Sequence, residues 1–478
     1  MRRSGGHAVL GPADCVSMAE ATNATGRSSA AEPGQPELKR AIGPKLLLFF
    51  VVGDILGTGV YALTGQVAGK VGGALWLPFL IAFVVAFLTA FSYLELVGKY
   101  PRAAGAALYT NRAFGVQFLT FMVAFAVMSS GITSASSAAI AFARTYLQQF
   151  VTVPVTLVAV LFVVLLALVN FRGVAESVKA NVVLTCVEVS GLVIVIGIGA
   201  WAVLNGDGEP SRLTQVDTGD SGWLLAITSA TALAFFAMVG FEDSVNMAEE
   251  TRDPVRIFPR AMLTGMGIVA VIYVLVAVTS SLLLSPQELA GAGSGALLKV
   301  VQVGAPGFPL WVFSLIGLFA VINSALINML MASRLVYGMA NERIIPRVFG
   351  LVHPLRRTPW VSIVFTSLIA VVLVSFVDIS QLGGTTSLLL LMVFAIVNVA
   401  VLVLRREEVA HEHFRAPTAV PVLGAITCAY LASPLSGRSW GDYRIAGLLL
   451  LAGLVLWVIN WLVGGRRKTE INPESLTG

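Results

Sequence analysis

Gly53-Asp54-Ile55-Leu56-Gly57-Thr58-Gly59-Val60 lies inside an apolar stretch, about residues 45–70, that is long enough to cross a lipid bilayer. Two glycines flanking one small polar residue weaken a helix by roughly 1 kcal/mol each relative to alanine. A helix that opens at Gly57 starts again with free N–H groups and the positive end of its dipole, an arrangement suited to a carboxylate. Thr58 adds a hydroxyl, and Asp54 places an acid one turn earlier. A packing reading stands beside this one. Gly53 and Gly57 have the small-xxx-small spacing that lets membrane helices approach closely. Both readings require a helix in lipid.

The rest of the chain fits that solvent. Of 478 residues, 57% are hydrophobic and 12% charged. A soluble domain carries roughly 45–50% apolar and about 25% charged residues, so too little polar surface is present to wet a globule of this size. Applying the rule of about 20 apolar residues per crossing places about twelve membrane helices. They fall near 45–70, 75–98, 116–143, 152–170, 180–204, 222–246, 261–285, 309–338, 360–378, 382–404, 419–435 and 443–464. The eleventh is short and contains Pro421 and Pro434. Residues 1–40 read as a disordered cytoplasmic tail, 41–465 as the transmembrane domain and 466–478 as a cytoplasmic tail. The first apolar run reads as an uncleaved membrane helix, because no basic region leads directly into it as in a signal peptide.

Charge orients the bundle. Cytoplasmic loops collect Lys and Arg. With both termini inside, Lys99, Arg112, Arg172, Arg252, Arg256, Arg260, Arg405 and Arg406 fall on the cytoplasmic side. Lys70, Arg144, Arg212, Lys299, Arg438 and Arg444 fall outside, where the loop 205–221 is acidic. An odd number of crossings would destroy this asymmetry. The net charge of +5 is spread in short runs between apolar segments, with no aromatic-interleaved basic stripe, which argues against nucleic acid as a partner. The three cysteines and four histidines have no metal-ligand spacing, and no nucleophile–base constellation is present, so enzyme chemistry and a metal are not expected.

Five helices after the first, Phe235-Phe236-Ala237-Met238-Val239-Gly240-Phe241-Glu242 interrupts the sixth with a glycine and an acid. Paired interruptions in two halves of a membrane protein point to a solute site. An opened helix at Phe235–Ala237 exposes carbonyls that can receive an ammonium group. Phe236 offers an aromatic cap, or simply fills the core. Acids within a span face the interior and are functional by default, which singles out Asp54, Glu242 and, mid-way along the fifth helix, Glu188. A carboxyl there can carry a proton, or stay protonated and bond to a neighbouring helix. Glu95, four residues before Lys99, reads as a surface ion pair. The serines of the third helix (Ser129, Ser130, Ser134, Ser136, Ser137) read as helix-to-helix contacts.

Together these segments resemble the amino acid–polyamine–organocation transporter superfamily, in its bacterial amino acid permease form. The stretch Gly53–Gly65 is similar to its first-helix motif and Ser92–Gly105 to the exit from its second helix. Ala234–Pro259 resembles its sixth helix and the loop beyond, and Asn328–Pro346 the end of its eighth. The resemblance implies an all-α LeuT-type fold: two inverted repeats of five helices plus two C-terminal helices. It implies that Gly57, Thr58 and Gly59 bind substrate carboxylate, that Phe235, Phe236 and Ala237 form the unwound carbonyl segment with Phe236 as gate, and that Glu242, counted with the substrate-binding residues, matches a position where some members have an acid linked to proton sensing. Proton-coupled relatives often carry a lysine in the fifth helix where this chain has Glu188, so the charge is reversed; Glu188 and Asp54 become candidates for coupling.

The expectation is a secondary transporter of the plasma membrane that moves amino acids by alternating access, with a proton as coupling ion and no other cofactor. A polyamine or amine carrier and an exchanger are the alternatives, with a channel or solute sensor behind them. Its partners would be an amino acid or small amine and the surrounding lipid; the sequence specifies no oligomeric state.

Overall fold

The computed structural model describes residues 42–101, 105–172, 178–217, 222–248, 251–341, 345–356 and 358–464. The two expected tails lie outside the described residues. The expected segments are all helical. The first is split into α1 (Pro44–Leu56) and α2 (Thr58–Val71), and α3 (Trp76–Lys99) is the second. A short helix not expected from the sequence, α4 (Gly105–Phe114), precedes α5 (Gln117–Ala141), which runs on through a π turn. Then come α6 (Val155–Phe171), α7 (Val178–Leu204), α8 (Trp223–Ala234) and α9 (Pro254–Leu283). Two more unexpected short helices, α10 (Pro286–Ala292) and α11 (Ala296–Gly304), lead into α12 (Leu310–Asn341). Helices α13 (Trp360–Phe376), α14 (Ile379–Leu404), α15 (Ala419–Ala432) and α16 (Trp440–Gly464) complete the chain.

Among the described residues, nine helical segments are long and apolar enough to cross a membrane, counting α1–α2 as one. Three more are apolar but shorter: α6, α13 and α15. Long apolar side chains on these helices face outward, such as Leu157, Leu161, Leu165 and Leu168 along α6. Such a stripe is costly in water and neutral in hydrocarbon. The chain is a multi-pass, all-helical membrane protein.

Two groups of helices pack among themselves. In one, α1 and α3 lie on α9 while α2 and α3 lie on α8; in the other, α12 and α13 lie on α5, and α13 also on α6. Helix α7 touches α1, α9 and α12, and α14 joins α5 to α15 and α16.

Loop contacts sort the chain into two ends. At one, Ile42 bridges to Thr251, Thr358 Oγ1 donates to the Phe171 carbonyl, and Lys99 Nζ donates to the carbonyls of Leu404 and Glu407. Glu95 and Arg405 meet at this end with two bonds of 2.7 and 2.6 Å. This corrects the expected surface pair between Glu95 and Lys99: Glu95 is buried, so it takes the guanidinium that α14 delivers, and Lys99 caps carbonyls instead. At the opposite end, Gly72 bridges to Val216, the Glu209 amide donates to the Leu282 carbonyl, Thr145 bonds Ser294, and Thr228 reaches the Ser436 carbonyl.

Candidate functional site

Both interruptions read in the sequence are present. Gly57 (φ −24°, ψ −139°) separates α1 from α2. On the other side, α8 ends at Ala234 and tightens into a single 3₁₀ turn, Phe235–Met238. Val239 is then extended, with ψ 143°, and Gly240 turns the chain at φ +126°. Few side chains other than none at all adopt that φ.

The two interruptions touch. A Cβ on Gly59 would fall 2.4 Å from the Ala237 Cα, and one on Gly240 would fall 2.7 Å from the Asp54 carbonyl oxygen. Gly53, by contrast, packs α1 against Thr185 of α7, where a Cβ would fall 1.9 Å from the hydroxyl. The packing reading thus holds for Gly53, and Gly57 does both, opening the helix and packing against Ser324 of α12, where a Cβ would fall 3.0 Å from the hydroxyl. A helix that stops leaves its last carbonyls without helical partners. Tyr273 of α9 takes one of them, donating at 2.8 Å to the Ile55 carbonyl. At the start of α2, the Thr58 hydroxyl is buried with no hydrogen-bond partner among the described residues. A buried unmatched hydroxyl costs about 1–3 kcal/mol, and an incoming acceptor would satisfy it.

Glu188 is fully buried on α7. Its Oε1 accepts from Asn323 Nδ2 of α12 at 3.2 Å, and its backbone carbonyl accepts from the Tyr61 hydroxyl at 2.6 Å. The second oxygen, Oε2, has no hydrogen-bond partner among the described residues. Tyr146 in turn donates to the Tyr61 carbonyl at 3.0 Å. Glu188 therefore sits where α2, α7 and α12 meet, in contact with the half-helix that starts at Thr58.

Glu242 is buried at the second interruption, its Oε2 accepting from the Gly240 amide at 2.9 Å. It lines a cavity of about 60 Å³ with Tyr93, Ser130, Val239, Asp243, Asn246 and Asn328, among others. A single water needs roughly 10–15 Å³, so this space admits a few. The structure thus brings Glu242 to a cavity and leaves Gly57, Thr58, Gly59, Phe235, Phe236, Ala237, Asp54 and Glu188 outside it. Gly59 and Ala237 fill by direct contact the space between the breaks. Phe235 and Phe236 are buried, Phe235 stacking edge-on to Phe394 at 5.9 Å. In α5, Thr133 bonds Thr386 of α14 at 2.6 Å, while Ser130 faces the cavity.

A family model for amino acid permeases matches residues 42–458, nearly all of the described chain. The chain belongs to the amino acid permease family. The superfamily resemblance carried by its first, second, sixth and eighth helices is thereby a membership, and the chain sits among permeases rather than enzymes. A branched-chain amino acid permease of Bacillus subtilis is 24% identical over 93% of this permease and 97% of its own length. An uncharacterized transporter of Mycobacterium tuberculosis is 29% identical over 92% and 96%. A chloroplastic cationic amino acid transporter of Arabidopsis thaliana is 28% identical over 78% of this permease and 67% of its own length.

Asn323, Tyr61, Asn246 and Asn328 were not singled out in the sequence. The two asparagines of α12 were visible as polar residues inside an apolar span, a signal equivalent to the one that picked out Glu188.

Proposed function

We propose that this permease carries amino acids across the plasma membrane by alternating access, with the substrate held where the two interrupted helices meet. The observation that carries the proposal is the contact of Gly59 with Ala237, beside the buried, unmatched hydroxyl of Thr58. Parting these two small residues opens a site with amide groups and a hydroxyl on one wall and carbonyls on the other. An α-amino acid presents a carboxylate and an ammonium in that order. Phe236 closes over it.

The packing supports a LeuT-type arrangement of twelve crossings. Helices five crossings apart lie together: α3 with α9, α5 with α12, and α6 with α13. The short α6, α13 and α15 then cross as well, by tilt or local thinning of the bilayer. The end bearing Lys99 and Arg405 faces the cytoplasm by its basic excess.

Glu188 serves as the proton-carrying group in this reading. It replaces a mobile cation at the meeting of α2, α7 and α12, and its charge state bears on how tightly those helices hold. Reconstituted protein and Glu188→Gln are to be compared for uptake across pH. The variant should lose the pH dependence; a profile parallel to the wild type would remove Glu188 from coupling. Competition between leucine, lysine and putrescine separates an amino acid carrier from an amine carrier, since only the former needs the carboxylate wall at Thr58.

A further inference from the structure

Arg438 lies in the loop before α16, buried with its side chain almost wholly out of solvent, although that loop is at the end of the bundle. Each of its N–H groups has an acceptor. Nε donates to the Leu431 carbonyl at 3.3 Å. Nη1 donates to the Gly384 carbonyl at 2.6 Å and faces Asp442 at 3.4 Å. Nη2 donates to Ser387 Oγ at 2.9 Å and to the Ala232 carbonyl at 3.2 Å. These acceptors are not equivalent. Leu431, Gly384, Ser387 and Asp442 belong to α14, α15 and α16, while Ala232 alone belongs to α8. Ala232 is in the last turn of α8, three residues before Phe235, where α8 passes into the 3₁₀ turn. Ser387 donates to the same carbonyl at 2.5 Å.

Four of the guanidinium's five acceptors therefore lie on α14, α15 and α16, and one, the Ala232 carbonyl, lies on α8, which Thr228 also joins to the Ser436 carbonyl at 3.0 Å. Losing the Ala232 contact leaves Arg438 paired with Asp442 and with two carbonyls, so no buried charge is stranded. The same end carries a cavity of about 290 Å³ lined by Arg438, Asp442, Lys70, Ser229 and Ala232.

We propose that Arg438, with Ser387, is a releasable latch: it positions the Phe235–Ala237 segment while this end of the permease is closed, and lets go of the Ala232 carbonyl when the end opens. The inference rests on the alternating-access reading above. It makes Arg438 a positioning residue, since it reaches the substrate segment only through α8.

The test is the reactivity of a cysteine at Ser229, on α8 facing the cavity. Ser229→Cys is placed in full-length protein whose Cys15, Cys186 and Cys428 have been replaced. The purified protein in detergent is treated with a water-soluble maleimide, which reaches both ends. Arg438→Gln and Ser387→Ala should each speed labelling by about three- to tenfold, the effect of one lost hydrogen bond. Arg438→Lys should fall between them and the parent. Thr366→Cys, buried in α13, is the control for general loosening and should keep its rate. Should Arg438→Gln fail to fold, Ser387→Ala decides, because it removes one donor without touching the charge pair. Unchanged labelling at Ser229→Cys, or equal acceleration at Thr366→Cys, overturns the latch. Because labelling needs no transport, a permease that moves no amino acid would refute the proposed function and leave this result standing.

Discussion

Gly59 and Gly240 show how much of the junction depends on single missing methyl groups. At Gly59 a side chain would have to displace the Ala237 backbone, and overpacking of this kind costs about 1–3 kcal/mol. Gly59→Val should therefore lower the thermal transition in detergent and abolish uptake, whereas Gly53→Ala, against a threonine side chain rather than backbone, should destabilise without the same loss of affinity for substrate. Binding by thermal shift with uptake in vesicles distinguishes the two; normal uptake by Gly59→Val would mean that the breaks need not touch. Much of this was legible. Glycines around Thr58 weaken a helix by their own chemistry, so the break shows in a window of a few residues. The partners of Glu188 and Glu95 did not show, because Asn323 and Arg405 lie 135 and 310 residues away. Helical spacing reveals neighbours on one helix, and it paired Glu95 with Lys99 when burial had assigned it to α14.

At the scale of elements, the buried pair of Glu95 and Arg405 ties α3 to the end of α14. Breaking a buried pair from one side costs about 3–5 kcal/mol, while replacing both partners by apolar residues is often neutral. Glu95→Leu should thus unfold several degrees earlier, and Arg405→Met added to it should recover most of the loss in a double-mutant cycle. Helix α10 is held differently. Ser285 and Glu288 form a capping box, with the Ser285 amide and hydroxyl both donating to the Glu288 carboxylate. These bonds hold the Glu288 carboxyl below the usual glutamate value. A depressed value means that the cap contributes stability above the ordinary carboxylate range and loses it as pH falls through the lowered one. The protection of α10 amides, taken relative to their intrinsic exchange rates, should fall on acidification through that range, and Ser285→Ala, at a cost of about 1 kcal/mol, should be less protected at neutral pH with a weaker acid response. The sequence suggested neither α4, α10 nor α11, since each is too short to give the apolar run that marks a crossing. The long helices were readable because lipid demands a continuous run; α6, α13 and α15 were readable for the same reason despite their shortness.

For the molecule as a whole, the loop contacts bear on how the chain is threaded. If every expected segment crosses, loops must alternate between the two ends. The start of α1 meets the loop after the sixth segment through Ile42 and Thr251. The connection from α2 to α3 meets the loop after α7, with Trp76 Nε1 donating to the Leu213 carbonyl at 3.0 Å. The ends of α6 and the approach to α13 meet through Phe171 and Thr358. Each pairing joins two loops of the same parity, which fits a crossing by every expected segment from α1 to α12; treating α6 as lying on the surface would put α5 and α7 out of step with these contacts. The basic residues lean the same way, with Lys99, Arg112, Arg172, Arg252, Arg256, Arg260, Arg405 and Arg406 toward loops of one parity and Lys70, Arg144, Arg212, Lys299, Arg438 and Arg444 toward those of the other. Single cysteines in an otherwise cysteine-free permease in sealed, right-side-out vesicles should then divide by parity. Positions Asp207, Gln287 and Ser439 should react with an impermeant maleimide from outside, and Arg256, Arg356 and Glu408 only after the membrane is permeabilised. External labelling at Arg256 and at Asp207 in the same preparation would mean that α8 does not cross between them, and would end the alternation that the proposed arrangement needs.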